Sequence, residues 1–365
     1  MEPLAEHAVS ARLRKNLRRP PEARYHIAML NDPASLAAQL MEIDSTSGRE
    51  GAAIDWLERT LSTAGWSTTL IPVTEGRAAL YARSATVCPV TLSTHIDTVP
   101  PFIRPRRAGN RLHGRGACDA KGIAASMIVA AERCRAKGIF AGLLFVVGEE
   151  VSHDGAHAAN LWARENRPGS RVLINGEPTE NTLAVGTKGA VRVIVKTAGQ
   201  AAHSAYPHLG RSATQELVRL LAELDALSLP TDELLGDTTV NIGSIKGGVA
   251  DNVVAPEAEA RLMIRLVTPL GDVREIIERW AAGRATLEWG VSVPAMRLGA
   301  LDGFPTSVAA FATDIPELTE WGTPYLLGPG SIHVAHRDDE FVEIEALLTA
   351  VESYQRLVEL LSRVS

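Results

Sequence analysis

The sequence predicts an α/β fold, a sheet covered by helices on both faces, interrupted by a smaller α+β domain. Three observations predict it. Short apolar runs, VTLS (90–93), GLLFVVG (142–148) and RVLIN (171–175), are separated by helical segments; runs without polar alternation belong to strands buried on both sides. Near residue 188 the pattern changes to half-exposed alternation, as in VRVIVKTAG (191–199), and it reverts near residue 297. The length of 365 residues suits two domains better than one.

The elements follow in order. Residues 1–33, rich in basic side chains (Arg12, Arg14, Lys15, Arg18, Arg19), read as a solvated or loosely docked arm. Two amphipathic helices lie between Ala34 and Trp66, the second with Ile54, Leu57 and Leu61 on one stripe. GIAASMIVAAERCRAKG (122–138) is a helix whose first turn follows Asp119, and another helix is expected near Ala156–Glu165. Then come strand 191–199, helix SATQELVRLLAELDAL, strands TTVNIGSIKGG and EAEARLMIRLV, helix DVREIIERWAAG and strand ATLEWGVSV. That β-α-β-β-α-β order is the split, ferredoxin-like unit. Gly247-Gly248 within it marks a turn or a close backbone approach. The first style resumes with a helix near Ser307–Thr313, a strand PYLLG and a final helix from Val342 to Arg363. The expected boundaries are an arm (1–33), a larger domain (34–187 and 297–365) and an inserted domain (188–296).

Composition narrows the function classes. With 45% hydrophobic and 22% charged residues the chain is of ordinary globular type. No run of 18 apolar residues exists, so no membrane span is expected, and the N-terminal basic cluster lacks the apolar stretch of a secretory signal. Cys88, Cys118 and Cys134 form no CxxC pair or disulfide framework, which points to a reducing cytoplasm. A net charge of −6 gives no footprint for nucleic acid.

Chemistry concentrates where strands and helices end. His95 and Asp97 follow VTLS, Asp119 precedes a helix, Glu149 and Glu150 end GLLFVVG, Glu177 follows RVLIN, and His336 follows PYLLG. Singly, each has an ordinary explanation: a surface loop for His95-x-Asp97, a solvated pair for Glu149-Glu150, an N-cap for Asp119. Jointly they occupy the carboxyl ends of the strands, where open α/β sheets bind ligands. Imidazoles with carboxylates and no thiolate suit zinc, cobalt or manganese in a catalytic rather than a structural site. Glu149 is expected on the opposite side of an extended chain from Glu150. His333 competes with His336 for the last ligand position.

In sequence order, STHIDTVP, GRGACDAKGIAA, FVVGEE, NGEPTE, TKGAVRVIV, AAHSAYP, NVVAPEAEARLMIR and GPGSIHVAHRDDEF resemble the M20 metallohydrolase family over roughly residues 40–365. That family takes in aminoacylases, acetylornithine deacetylases and glutamate carboxypeptidases. The resemblance implies a zinc-peptidase-like catalytic domain with a mixed sheet, and an inserted lid and dimerisation domain. It implies that His95 and Glu177 bind one metal, that Glu150 and His336 bind a second, and that Asp119 bridges them. The AHRDDEF context places that last ligand at His336. Asp97 would orient His95, and Glu149 would be the general base, a role worth about 10²–10⁴-fold. His203 resembles a histidine that reaches into the partner subunit's active site and stabilises an oxyanion. Asn252 and Arg265 would contact substrate, Arg265 by holding a carboxylate, and Gly328-Pro329-Gly330 could present backbone amides to it.

The expected reaction is removal of an acyl group from an N-acyl amino acid by two divalent ions, zinc first, with cobalt or manganese as alternatives. Acetylornithine deacetylase, with acetyl-lysine deacetylase beside it, ranks ahead of succinyl-diaminopimelate desuccinylase, dipeptidase or carboxypeptidase. The rivals are a non-catalytic metal-binding relative and a serine or cysteine hydrolase, which lacks any GxSxG signature. The expected partners are a small-molecule substrate and a second copy docked through the inserted domain, with no nucleic acid and no membrane. The chain departs from many relatives where MIR lacks an Asp two residues before Arg265. It departs again where VSHDGA replaces a more Gly-rich loop after Glu150, which bears on substrate choice.

Overall fold

A computed structural model describes residues 30–363, so the expected arm over 1–33 lies almost wholly outside the described residues. The described chain divides into two compact units. Val185–Leu298 with Ser307–Pro316 form one, and the remaining segments form the other.

In the larger unit, helix α1 (Pro33–Met41) starts where the Asp32 carboxylate accepts the Ala34 N–H, with Pro33 at the first position. Helix α2 (Gly51–Thr63) buries Ile54, Leu57 and Leu61, the expected stripe. Strands β1 (Ser67–Thr74) and β2 (Arg77–Arg83) form a hairpin that the periodicity did not disclose. Strand β3 (Val90–His95) is wholly buried, and a small ribbon, β4 (Arg106–Ala108) and β5 (Arg111–His113), follows. Helix α3 (Lys121–Ala136) is buried almost all round, as its run of Gly, Ala, Ser and Ile demands. Strand β6 (Ala141–Val146), helix α4 (Asp154–Asn166), strand β7 (Val172–Asn175) and strand β8 (Leu183–Thr187) complete the first part.

The smaller unit carries β9 (Gly189–Ala198), α5 (Ala213–Ala222), the two-residue pair β10 (Thr231–Asp232) and β11 (Gly236–Asp237), β12 (Thr239–Gly247), β13 (Glu257–Leu266), α6 (Leu270–Ala281) and β14 (Thr286–Val293). Its sheet runs β12-β13-β9-β14, antiparallel throughout. Alternate residues Val191, Val193, Val195, Ala260, Leu262 and Ile264 pack beneath Leu217, Leu220, Val273 and Ile277 of the two helices. The expected β-α-β-β-α-β unit is thus present. Gly247 is a close approach, since a Cβ there would press on Ala258, and Gly248 has φ +81°. Short strands β15 (Met296–Arg297) and β16 (Thr306–Ala309) follow. The helix expected near Ser307–Thr313 is therefore absent: TSVA extends and pairs with β8, its β-branched residues fitting a pleated edge.

Strand β17 (Thr323–Leu326), strand β18 (Phe341–Glu343) and helix α7 (Ile344–Leu361) return to the larger unit. The final helix starts at Ile344 rather than Val342, because Phe341–Glu343 pair with β5. The sheet order is β1-β2-β6-β3-β7-β17, and β6, β3, β7 and β17 are mutually parallel neighbours. Leu92, Leu143, Phe145 and Ile174 face a core shared with α1, α2, α3 and α7, while Leu144, Val146 and Leu173 face Ala156 and Ala159 of α4 and Trp321. Both faces are covered, and four parallel strands end along one edge. Among the described residues no helix is long and apolar enough to cross a membrane.

Candidate metal centre

That edge gathers the donors. His95 is the last residue of β3, Glu150 lies four residues beyond β6, and Glu177 two beyond β7. Asp119 sits two residues before α3, and His336 follows β17 by a loop. Ligating atoms of His95, Asp119 and Glu177 lie within 4.8 Å of one another, as do those of Asp119, Glu150 and His336. Asp119 belongs to both groups. Its Oδ1 is 2.9 Å from His95 Nε2 and its Oδ2 is 3.3 Å from His336 Nε2, while His336 Nε2 also meets Glu150 Oε1 at 2.9 Å.

Asp119 does not cap α3. Ala120 occupies that position without a side-chain bond, which leaves the Asp119 carboxylate free for the two imidazoles. His336 has φ +64°, a left-handed conformation that costs a non-glycine residue energy and that here accompanies a ring turned to Glu150 and Asp119. His333 joins neither group, its N–H donating to Ser331 Oγ instead.

The charges explain what the donors favour. Burial alone would push the His95 imidazole down, but Asp119 and Asp97 outweigh it and hold its pKa well above the ordinary value. His336 is pushed up to about 10 by Asp119 and then Glu150. Asp119 is lowered, since its bonds to His336 and His95 overcome its burial. An excess of carboxylate charge that retains protons on two imidazoles equally favours divalent cations, which compete with those protons for the same nitrogens. Two imidazoles, three carboxylates and no thiolate fit hard or borderline ions. Cys118 adds no ligand: its buried thiol faces the Ser331 carbonyl, and burial holds its pKa well up.

Asp97 is buried beneath the centre. His95 Nδ1 lies 2.9 Å from the Asp97 backbone carbonyl and 3.5 Å from its carboxylate. The carboxylate accepts instead the N–H groups of Glu149 (3.0 Å) and Glu150 (3.2 Å) and the Ser47 hydroxyl (2.9 Å). Glu149 and Glu150 therefore occupy a turn, not the extended chain the sequence suggested, because successive N–H groups of a strand diverge and these converge. Sequence reasoning missed Ser47, whose only signal was a polar STSG loop after a helix. Gly328 does not present its N–H outward: the N–H donates to Thr179 Oγ1 and its carbonyl accepts from Asn181.

In the smaller unit, His203 is exposed and its Nδ1 accepts the Ala205 N–H. Its strand-like bridge to Val253, with Ser204 N–H donating to the Asn252 carbonyl, sets it beside Asn252. Arg265 lies at the other end of β13, half-buried, its pKa lowered by burial and by Arg192. Eight residue steps from Glu257 put it about 27 Å along the strand from the Asn252 end.

Clustered imidazole and carboxylate donors at the carboxyl edge of a helix-covered parallel sheet, with a separate α+β unit, define a candidate metalloprotein class rather than a single activity. A family described as peptidase dimerisation domain matches residues 185–286. A probable carboxypeptidase of Paracoccidioides brasiliensis is 38% identical, over 89% of this chain and 84% of its own length. A peptidase M20 domain-containing protein of Schizosaccharomyces pombe is 37% identical, over 89% and 83%. The structure of a Staphylococcus aureus tripeptidase superposes with TM-score 0.76 at 19% identity, covering 92% of this chain and 99% of that one. The chain belongs to the M20 peptidase family, and it is a metal-dependent amidohydrolase of that family.

Proposed function

We propose that this chain is a dinuclear hydrolase of linear amides whose amine half is an amino acid with a free carboxylate. Cleavage of short peptides, as a carboxypeptidase or dipeptidase, is the leading form, because the relatives at 37–38% identity bear peptidase names. Deacylation of N-acyl amino acids, acetylornithine first, is the second reading, favoured by the GEPTE and GPGSIHVAHRDDEF motifs. The observation that carries the proposal is Asp119 standing in two donor groups at once.

In this reading His95, Glu177 and Asp119 hold one ion, and Glu150, His336 and Asp119 hold the other. Zinc is the first choice, ahead of cobalt and manganese. When bound, such ions lower the pKa of water and polarise a carbonyl. Glu149, its backbone fixed by Asp97, accepts a proton from the attacking water and returns it to the leaving nitrogen as the C–N bond breaks. Arg265 holds the substrate carboxylate. His203 and Asn252 lie too far along the sheet to meet the same small substrate as Arg265 of their own copy. A homodimer, in which the partner copy supplies them, resolves this. Segment 188–296 is then both lid and dimerisation surface, between the catalytic segments 34–187 and 297–365. Three buried free thiols fit a reducing, cytoplasmic setting.

A hydrolysis panel tests the reading with dipeptides, tripeptides, acetylated and succinylated amino acids, and the same peptides amidated at the C-terminus. Cleavage should require the free carboxylate. Equal cleavage of amidated substrates, or inertness across the panel with zinc, cobalt and manganese, would overturn it. Glu149→Gln should keep the metal and lose at least about 10²-fold in turnover; unchanged turnover would mark a non-catalytic binder.

A further inference from the structure

Four residues beyond His336 the chain turns a carboxylate inward. Glu340 is 1% exposed, although Asp338 and Asp339 beside it are solvated. Its Oε1 accepts the backbone N–H groups of Gly116 (3.0 Å), Cys118 (3.0 Å) and Asp119 (3.2 Å). Its Oε2 accepts Arg115 Nη1 at 2.7 Å, and Arg115 is itself 1% exposed. The same Nη1 reaches the Arg337 carbonyl at 3.1 Å, and the Gly114 N–H donates to the Glu340 carbonyl at 3.0 Å. Gly116 at φ +87° gives the 116–119 loop the curvature that lets its N–H groups converge on one oxygen.

These bonds join two segments more than 200 residues apart. One carries Asp119, the donor common to both groups, and the other carries His336. None of the bonds uses a ligating atom. A buried carboxylate is costly unless fully satisfied, and this one has four donors. Converging buried N–H groups require an acceptor in turn. Without it the loop must reopen to find other partners, and Asp119 moves with the loop.

We propose that Glu340 is a positioning residue that assembles the metal centre in advance, fixing Asp119 relative to His336 before any ion binds. The inference rests on the metal reading above. A carboxamide at this position keeps one acceptor and puts an NH₂ either against the loop N–H groups or against Arg115. In the first orientation the NH₂ opposes the Gly116, Cys118 and Asp119 N–H groups directly; in the second those bonds persist without the carboxylate's charge and the Arg115 pair is lost, so the tie between the two segments loosens either way.

The test is a competition titration of cobalt(II) against a chelator, with the visible absorption of the bound cobalt recorded, for wild type and Glu340→Gln. Circular dichroism establishes that the variant is folded. Because Asp119 serves both groups, the folded variant should bind both ions more weakly, the one that also needs His336 by about 10–100-fold, with an altered spectrum. Wild-type affinities and spectrum in the folded variant would overturn the proposal, since a residue that only supports the fold would shift thermal stability alone. Hydrogen exchange of the metal-free wild type decides the matter even if the variant does not fold. The amides of Gly116, Cys118 and Asp119 should be protected before loading; protection gained only on loading would overturn the proposal. Failure of the wild type to take up cobalt would overturn the metal reading and this inference together, whereas intact binding in both proteins defeats only the inference.

Discussion

Replacing Asp97 with Asn removes a charge and one acceptor while keeping the shape. The wild-type carboxylate takes three hydrogen bonds, with the Glu149 N–H on Oδ1 and the Glu150 N–H and Ser47 hydroxyl on Oδ2. Asn retains only one acceptor atom, so its NH₂ must face a backbone N–H in either orientation. One charge-assisted bond of about 1.5–3 kcal/mol is lost outright, and the others fall toward the 1 kcal/mol of neutral bonds. The expected destabilisation of the metal-free protein is about 2–4 kcal/mol, because nothing at this buried site can relieve the clash. The loss is local in a second sense. His95 keeps its bond to the Asp97 backbone carbonyl but loses the carboxylate 3.5 Å away that raises its basicity, so the ion held by His95 and Glu177 should weaken, though less than the ion on the Glu150 side, which should bind about 10–100-fold more weakly. Chemical denaturation and competition titration measure both quantities. A stability change below about 0.5 kcal/mol, or equal weakening of both ions, would refute the reasoning.

Two further perturbations probe the scaffold. Asp154 at the start of α4 is paired with Arg77 Nη1 at 2.6 Å, and this pairing outweighs burial to hold its pKa below the usual 3.8. A lowered carboxyl pKa stabilises the fold above the unfolded value and loses that contribution as pH falls through the folded one. Asp154→Asn should therefore cost up to about 1 kcal/mol at pH 7, the carboxylate being 32% exposed and partly screened, and progressively less as pH falls through the folded pKa. A gap between the denaturation curves that does not narrow as pH is lowered would contradict this. Gly328→Ala places a Cβ against the backbone carbonyl of Glu177, which cannot step aside. It should destabilise by about 1–3 kcal/mol and weaken the ion at Glu177; wild-type melting and metal affinity would contradict it.

Most of the sheet was legible because β6 and β7 are buried on both faces and read as nearly continuous apolar runs, while β3, equally buried, was marked by Val90 and Leu92 between short hydroxyl side chains. The β1–β2 hairpin was not, since STTLIPVT lies at the edge of the sheet, half polar and without a strict period. The TSVA strand looked helical because a four-residue segment is decided by its neighbour β8 rather than by its own pattern. The ligand positions were visible as acidic and imidazole side chains at element ends. Their supports were not: Ser47 is one hydroxyl in a Ser-rich loop. Glu340 closes the charged run RDDE and carries no local sign of burial, because what buries it is a set of N–H groups 221–224 residues away.

The most direct test is anomalous diffraction, recorded at the metal edge, from crystals of the chain purified with its metal. Two peaks flanking Asp119, one beside His95 and Glu177 and one beside Glu150 and His336, are what the account predicts. An active protein with no anomalous peak at Asp119, or with a single ion that Asp119 does not touch, would contradict it.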